Sequence, residues 1–394
     1  MTTGAIGPRP SSWSEKLPTG SFIEEASLSD TFYSTKAQLW RWRSHIAVGC
    51  LLLIFWTNMR APVETSLQGI ASYGEDGVAL TSYAPPFHCD IKSLPWQTRM
   101  IRRRQENYVT IVHGFEDMVS DDIWRGMGVL GWEEPTARQM NLWMEAIMSI
   151  EHSRDGFVDL GANVGTHTLY FASRGYNVHA FEPTFANYAL LRCSLAISGM
   201  AGRVHLNTFG LGDQAKTVCM NSEPTNFGNS KVDPNTTTCQ PHLQSKIGTL
   251  NTYYHSKLRG QKIAVLKLDV QGYEVAVLHH GQDFFDSEDA PVAVFFEYDA
   301  GMISAQGHDP MYVMRYLWQR GYTIWRDTMS EPMGEEHTLR FGKEPLWSGG
   351  IDFFAVKTVW KEALEIVGYK FQGGWMLDPS LYPPLDSTAV LQHE

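Results

Sequence analysis

The chain has 394 residues, 43% of them hydrophobic, with 32 Lys and Arg against 43 Asp and Glu for a formal net charge of −11. That apolar content excludes disorder of the whole chain and fits two or three domains' worth of core, or one α/β domain with extensions. The acidic balance lacks the basic field through which nucleic acid is held, so no nucleic-acid partner is expected.

Residues 1–35 are rich in Gly, Ser, Thr and Pro without a sustained period and read as a disordered tail. An unbroken apolar run follows, Ile46 to Trp56, flanked by Lys36, Arg41 and Arg43 before it and Arg60 after it. Eleven residues at 1.5 Å each reach only about 17 Å, short of the ~30 Å hydrocarbon core. Residues 37–59 together reach spanning length if Arg41 and Arg43 extend to the headgroups and Trp40, Trp42 and Trp56 lie in the interface. Segment 36–60 is therefore expected to be a transmembrane signal anchor, with a buried or amphipathic surface helix as the alternatives. The heavier positive charge on its N-terminal flank predicts a single-pass type II arrangement, the body facing the lumen of the Golgi or endoplasmic reticulum. The sequon Asn235-Thr236-Thr237 agrees with this, as do Cys219 and Cys239, which bracket a polar stretch that a disulfide would staple; free thiols are the alternative. The five cysteines show neither C-x-x-C nor zinc-ligand spacing, and no metal is expected.

Residues 61–106, with Pro85-Pro86, read as a linker or stem, 107–360 as a catalytic body and 361–394 as a C-terminal extension. The body opens with the strand-like "NYVTIVHG" and a helix over 134–150, in which Met140, Leu142, Trp143, Ile147 and Ile150 recur at helical spacing. A strand ending at Asp159, a glycine loop and a helix to Gly175 follow. A second strand ends at Glu182-Pro183, a helix runs to about Ile197, and "RVHLNTFGLGD" forms a third strand. "IAVLKLD" is a fourth strand, turning at Gly272 into a helix that ends at Gly281; "VAVFFEYD", "YLWQRGYTIW" and "GIDFFAVK" supply the fifth, the sixth with its helix, and the seventh. Alternation at this pitch predicts an α/β fold with a doubly wound parallel sheet.

Such a sheet gathers ligands at the carboxyl ends of its strands, which brings Asp159, Gly161, Glu182 and Asp213 to one crevice. The loop "DLGANVGTHT" departs from the dinucleotide fingerprint G-x-G-x-x-G, because Asn163 stands at the second glycine and Gly165 follows two residues later. A pyrophosphate needs glycine there for close approach. S-adenosylmethionine carries no phosphate, and its ammonium suits backbone carbonyls and a carboxylate such as Asp159. Asn163 tolerates the left-handed backbone a glycine would otherwise provide. Glu182, 21 residues beyond Gly161, stands where a carboxylate accepts the hydroxyls of a ribose. An NAD-dependent oxidoreductase and a turn that binds nothing are the alternatives.

Taken together, "FVDLGANVGTHTLYFA", "VHAFEP", "GTLNTYY" and "LKLDVQGYEVAVLHHG" resemble the FkbM family of S-adenosylmethionine-dependent methyltransferases over about residues 110–300, the last element being the most specific. The resemblance implies the class I, Rossmann-like seven-stranded sheet, S-adenosylmethionine as cofactor, and O-methylation of a hydroxyl on a glycan or small metabolite. Cofactor contacts are then expected from Asp159, Gly161, Asn163, Gly165, Glu182 and Asp213, and catalysis from Asp269, Glu274 and His167. Asp269 would face the methyl group, or cap the following helix. Glu274 would orient the acceptor or hold the loop, or be a helix-terminus charge, and His167 would be a base or merely begin its helix. His279 and His280 sit near a helix C-terminus, where the dipole favours them. Asp269 with Glu297 suits a divalent cation, but one carboxylate pair is too little for a metal site. The chain departs from the family pattern at Gln271, for glutamate, and Asn251, for aspartate, which leaves a non-catalytic lumenal binding module as a further reading. Acceptor recognition is expected from residues 107–150, 219–239 and 327–350.

Overall fold

The computed structural model describes residues 70–73, 79–83, 89, 91–94, 96–103, 106–126, 133–326 and 350–369. The expected tail at 1–35, the anchor at 36–60 and nearly all of 327–350 lie outside the described residues, which all fall in one compact unit, Gln68–Glu394. Among the described residues no helix is long and apolar enough to cross a membrane.

Strands β1 (Ile70–Tyr73) and β2 (Ala79–Tyr83) pair antiparallel, and so do β3 (Thr98–Arg103) and β4 (Tyr108–His113) in a separate ribbon. Helices α1 (Met118–Arg125) and α2 (Glu134–Ile150) follow, the second with the bounds its periodicity predicts. The alternating core is then β5 (Gly156–Leu160), α3 (Thr166–Ser173), β6 (Asn177–Phe181), α4 (Phe185–Ser198) and β7 (Val204–Asn207). A small second sheet comes next, made of β8 (Gly210–Leu211), β9 (Lys216–Glu223), β10 (Asn226–Val232) and β11 (Gln244–Gly248), in the order β10-β9-β11-β8. The core resumes with β12 (Ile263–Leu268), α5 (Glu274–His279), β13 (Ala293–Tyr298), α6 (Ala300–Ala305), α7 (Met311–Gln319), β14 (Tyr322–Arg326), β15 (Ile351–Lys357) and α8 (Thr358–Ile366).

The main sheet has nine strands in the order β1-β2-β7-β6-β5-β12-β13-β15-β14. The five from β7 to β13 are parallel, and β15 lies antiparallel between β13 and β14. All seven expected strands are therefore present, but the sheet is mixed and wider than expected. The stretch read as a stem supplies β1 and β2, which extend the β7 edge, with Ser82 opposite Asn207.

Every residue of β5 and β12 is buried, as continuous apolar runs covered on both faces must be. The pleat sends alternate side chains to opposite sides. Val158, Leu266 and Phe296 enter a core with α5, α7 and residues 250–258. Phe157, Val265 and Phe295 enter another with α2, α3 and α4. Between β5 and β12 the strand order reverses, which opens a crevice at their carboxyl ends.

Three further features depart from the expectations. The third strand is broken: Phe209 turns inward against Phe181, so the chain leaves the main sheet at Asn207 and Gly210-Leu211 pairs with β11 instead. The polar stretch 219–239 is mostly the hairpin β9–β10 rather than a loop, although the Cys219–Cys239 disulfide staples it as expected, and a second disulfide, Cys89–Cys193, ties the chain ahead of the ribbon to α4. Finally, α8 runs across the expected boundary at 360, and the Tyr369 hydroxyl beyond it bonds Gln139 and Trp143 of α2.

Candidate active site

The floor of the crevice is set by a close approach of backbones. Gly161, just past β5, has φ +87°, and a Cβ there would lie 1.8 Å from the Asp269 carbonyl oxygen, so no side chain fits. Asn163 adopts the left-handed conformation its type tolerates, φ 52°. That turn aims backbone N–H groups outward. The Asn163 N–H donates to Glu182 Oε2 at 2.8 Å and the Thr184 N–H to Oε1 at 2.9 Å. Burial pushes the Glu182 carboxyl up to about 7, with the two N–H groups pulling it back.

Gly161, Asn163, His167, Glu182 and Asp269 line one pocket. Asp159 lies beneath them, fully buried. Its Oδ2 accepts from Thr168 Oγ1 at 2.6 Å, while Oδ1 has no hydrogen-bond partner among the described residues, and burial holds its pKa above the usual range. The roof is the second sheet, which contributes Met220, Phe227, Gly228 and Lys231. A Cβ on Gly228 would sit 2.7 Å from Asn163 Nδ2, so glycine lets the hairpin close onto the loop.

Besides Asp159, three expected site residues do not line the pocket. Gly165 caps α3 with φ +96° and packs under Leu191, whose Cδ1 would lie 2.3 Å from an added Cβ. Asp213 leaves the crevice with the broken third strand and pairs with Lys216 at 2.8 Å. Glu274 turns back into its own loop: Oε1 accepts from the Val270 N–H at 3.1 Å and the Gly272 N–H at 3.3 Å, and burial pushes its pKa up to about 7. It is a loop holder.

Two residues were missed. Lys267, buried in β12, donates to Asp269 Oδ2 at 2.8 Å and to the Gly161 carbonyl at 3.3 Å. Burial opposes its charge, but the carboxylates of Asp269, Asp159 and Glu133 outweigh that and keep it protonated. A lysine interrupting the apolar "IAVLKLD" was the available signal. Glu133, at φ 53° ahead of α2, also lines the pocket, its Oε2 3.5 Å from His167 Nε2. Burial and then the Lys267 charge push His167 down to about 3, so its imidazole is neutral.

At the mouth, Gln271 takes up a left-handed φ of 54°, and its Nε2 donates to Asp269 Oδ1 and to Glu297 Oε2, both at 2.8 Å. Burial works against the Asp269 charge, yet Lys267 and Gln271 hold its pKa below the usual carboxylate range. The Asp269 charge and burial in turn push Glu297 up to about 10, so this second carboxyl is protonated at neutral pH. Among the described residues no group of three or more His, Cys, Asp or Glu is placed to hold a metal.

Residues 159–324 match the family model described as the methyltransferase FkbM domain. The matched span, under half of the chain, is similar to that domain. The match bears out the resemblance of its motifs. No curated protein matches the sequence. Solved structures similar to the chain include the bifunctional kinase-methyltransferase WbdD, at 12% identity and a TM-score of 0.35 over 68% of this chain and 45% of that one. Others are cofactor-bound Rv0187 from MTB, at 13% identity and 0.29 over 56% and 79%, and an O-methyltransferase from Bacillus cereus in complex with SAH, at 11% and 0.30 over 56% and 81%. The chain thus spans under half the length of WbdD. Within the matched span the two departures from the family pattern have structural accounts. Asn251 Oδ1 accepts from the Asp283 N–H at 3.0 Å, capping a turn away from the pocket, a task an aspartate would do equally. Gln271 bridges two carboxyls by donating to both Asp269 and Glu297, which an ionised glutamate could not do.

Proposed function

We propose that this chain is an S-adenosylmethionine-dependent O-methyltransferase whose acceptor is a hydroxyl of a glycan or small metabolite. The observation that carries the reading is the pairing of Glu182, fixed by two backbone N–H groups at the end of β6, with the unpartnered Asp159 Oδ1 under the adjacent loop. Glu182 would hold the ribose hydroxyls, Asp159 the ammonium, and His167 with Lys267 the carboxylate of the methionine end. The carboxylates of Asp159, Glu133 and Asp269 around Lys267 make a field that suits a cation, and the loop offers a phosphate no extra glycine.

When bound, S-adenosylmethionine supplies a methyl group already activated on a sulfonium. The protein's task is to position the acceptor oxygen and take its proton. Asp269 is held ionised by Lys267 and Gln271, with both oxygens fixed. An alcohol oxygen becomes strongly acidic as its new bond to carbon forms, so a carboxylate of lowered pKa is base enough. His167, with its pKa near 3, is a poor base and serves as a neutral donor.

Calorimetry on the full chain tests this reading. S-adenosylhomocysteine is expected to bind and NAD not to, with Asp159→Asn and Glu182→Ala each weakening binding at least about tenfold, the loss of one charge-assisted contact. NAD binding without S-adenosylhomocysteine binding would overturn it. We also read segment 36–60 as a signal anchor with the body lumenal, a reading supported by two disulfides in the body and by the exposed turn that carries Asn235. Loss of mass on enzymatic deglycosylation of the cell-expressed protein, absent in Asn235→Gln, is the expected result.

A further inference from the structure

A second cleft lies beside the pocket, between the end of the hairpin β9–β10 and helix α6. The two cavities share Lys231 and Val232 as a common wall. They are also linked through one side chain. Gln271 lines the cleft while its amide nitrogen bonds Asp269, which lines the pocket. The cleft therefore lies one side chain, Gln271, away from the Asp269 carboxylate of the pocket. The Gln306 amide fixes its width by donating to the Val232 carbonyl at 3.1 Å, which ties α6 to the hairpin.

We propose that this cleft is the acceptor subsite and that it takes a neutral, polyhydroxylated molecule such as a hexopyranoside; the proposal rests on the methyltransferase reading above. The chemistry of the walls carries the choice of class. Three carboxamides line the cleft besides the sequon residue, those of Asn221, Gln271 and Gln306, and a carboxamide, like a hydroxyl, both donates and accepts. Charges of both signs line the cleft, Lys231 on the one hand and Asp233 and Asp299 on the other, so neither a phosphate nor a cationic acceptor finds a cradle of one sign. No aromatic ring lines the cleft among the described residues, which disfavours a flat phenolic acceptor. The cleft wall also includes the loop that the Cys219–Cys239 disulfide ties down, so its shape is fixed covalently.

Saturation-transfer NMR on the full chain, with methyl hexopyranosides, catechol and inorganic phosphate as probes and S-adenosylhomocysteine present, tests the inference. Methyl hexopyranoside signals are expected from the wild type. They should be lost in Ala305→Trp, on the exposed flank of α6, and in Asn221→Trp on the facing strand, while calorimetry shows S-adenosylhomocysteine affinity unchanged within about twofold and circular dichroism shows both variants folded. Hexopyranoside signals that survive both folded variants place the acceptor elsewhere and overturn the proposal. Catechol or phosphate signals in place of the hexopyranosides, or no signal from any probe, overturn the class. If the hexopyranosides bind the wild type and neither variant while S-adenosylhomocysteine binds none of the three, the cleft stands as a sugar site and the methyltransferase reading falls.

Discussion

Gly161 meets two constraints at once, a φ of +87° and the Asp269 carbonyl 1.8 Å from where a Cβ would be built. Either alone disfavours a side chain, and together they require the β5 and β12 loops to part. Gly161→Ala is therefore expected to cost on the order of 2–4 kcal/mol of stability, read by urea denaturation, and to abolish S-adenosylhomocysteine binding. A variant that binds with wild-type affinity would show the close approach to be dispensable. Glu182 offers a finer test. Its carboxyl is raised to about 7, and only the ionised form accepts through both oxygens from ribose hydroxyls. Affinity for S-adenosylhomocysteine should accordingly tighten as pH rises from 6 to 8, by up to roughly tenfold per pH unit below the pKa, and Glu182→Gln should flatten the profile. A wild-type profile as flat as the variant's would remove Glu182 from the ribose. Gly161, Asn163 and Glu182 were legible in the sequence because a turn's backbone conformation and a strand's end are local properties. Glu133 and Gln271 were not, since what they do is set by partners 34 and 26 residues away, His167 and Glu297.

At the scale of elements, the strands of the central sheet read well because burial on both faces writes them as apolar runs, whereas the hairpin β9–β10 did not. The burial of β9 follows no alternation, with only Cys219 and Met220 buried, and β10 is half-buried almost throughout, so its Asn, Ser and Gly content looks like loop. Yet this hairpin roofs the pocket and walls the cleft. A half-buried two-layer edge has little burial to hold it, and the Cys219–Cys239 bond closes a segment with a sequence separation of 20. Removing it by Cys219→Ser with Cys239→Ser is expected to cost ~3 kcal/mol in the chain-entropy picture and to weaken S-adenosylhomocysteine binding severalfold. Denaturation and calorimetry of wild type and the double variant, both without reductant so that Cys89–Cys193 stays intact, check both, and equal values for the two proteins would show the hairpin to be self-supporting.

For the molecule as a whole, local periodicity revealed the order of elements but not what closes the fold around them. The pairing of β2 with β7 and the Cys89–Cys193 bond, with a sequence separation of 104, are long-range pairings that no local pattern encodes. Global titration is another such property. Seven histidines, His113, His167, His179, His205, His279, His280 and His308, have lowered pKa values, chiefly through burial, so the stability they contribute is present above about 6.5 and lost as pH falls. Glu274 works in the opposite sense. Its pKa rises from 4.5 unfolded to about 7 folded, so its contribution is fully present below 4.5 and lost as pH climbs through 7. Because the two trends overlap, the raw dependence of stability on pH is uninformative, and the difference between wild type and Glu274→Gln isolates the carboxyl. The amide keeps an oxygen to accept the Val270 and Gly272 N–H groups and has no charge to desolvate. The two proteins are expected to be equally stable at pH 4.5, and the variant the more stable at pH 8 by on the order of 2–3 kcal/mol, measured by urea denaturation at both pH values. A difference that stays constant with pH would mean that Glu274 is ionised in the folded protein, stabilised by a partner for Oε2 that the loop does not provide.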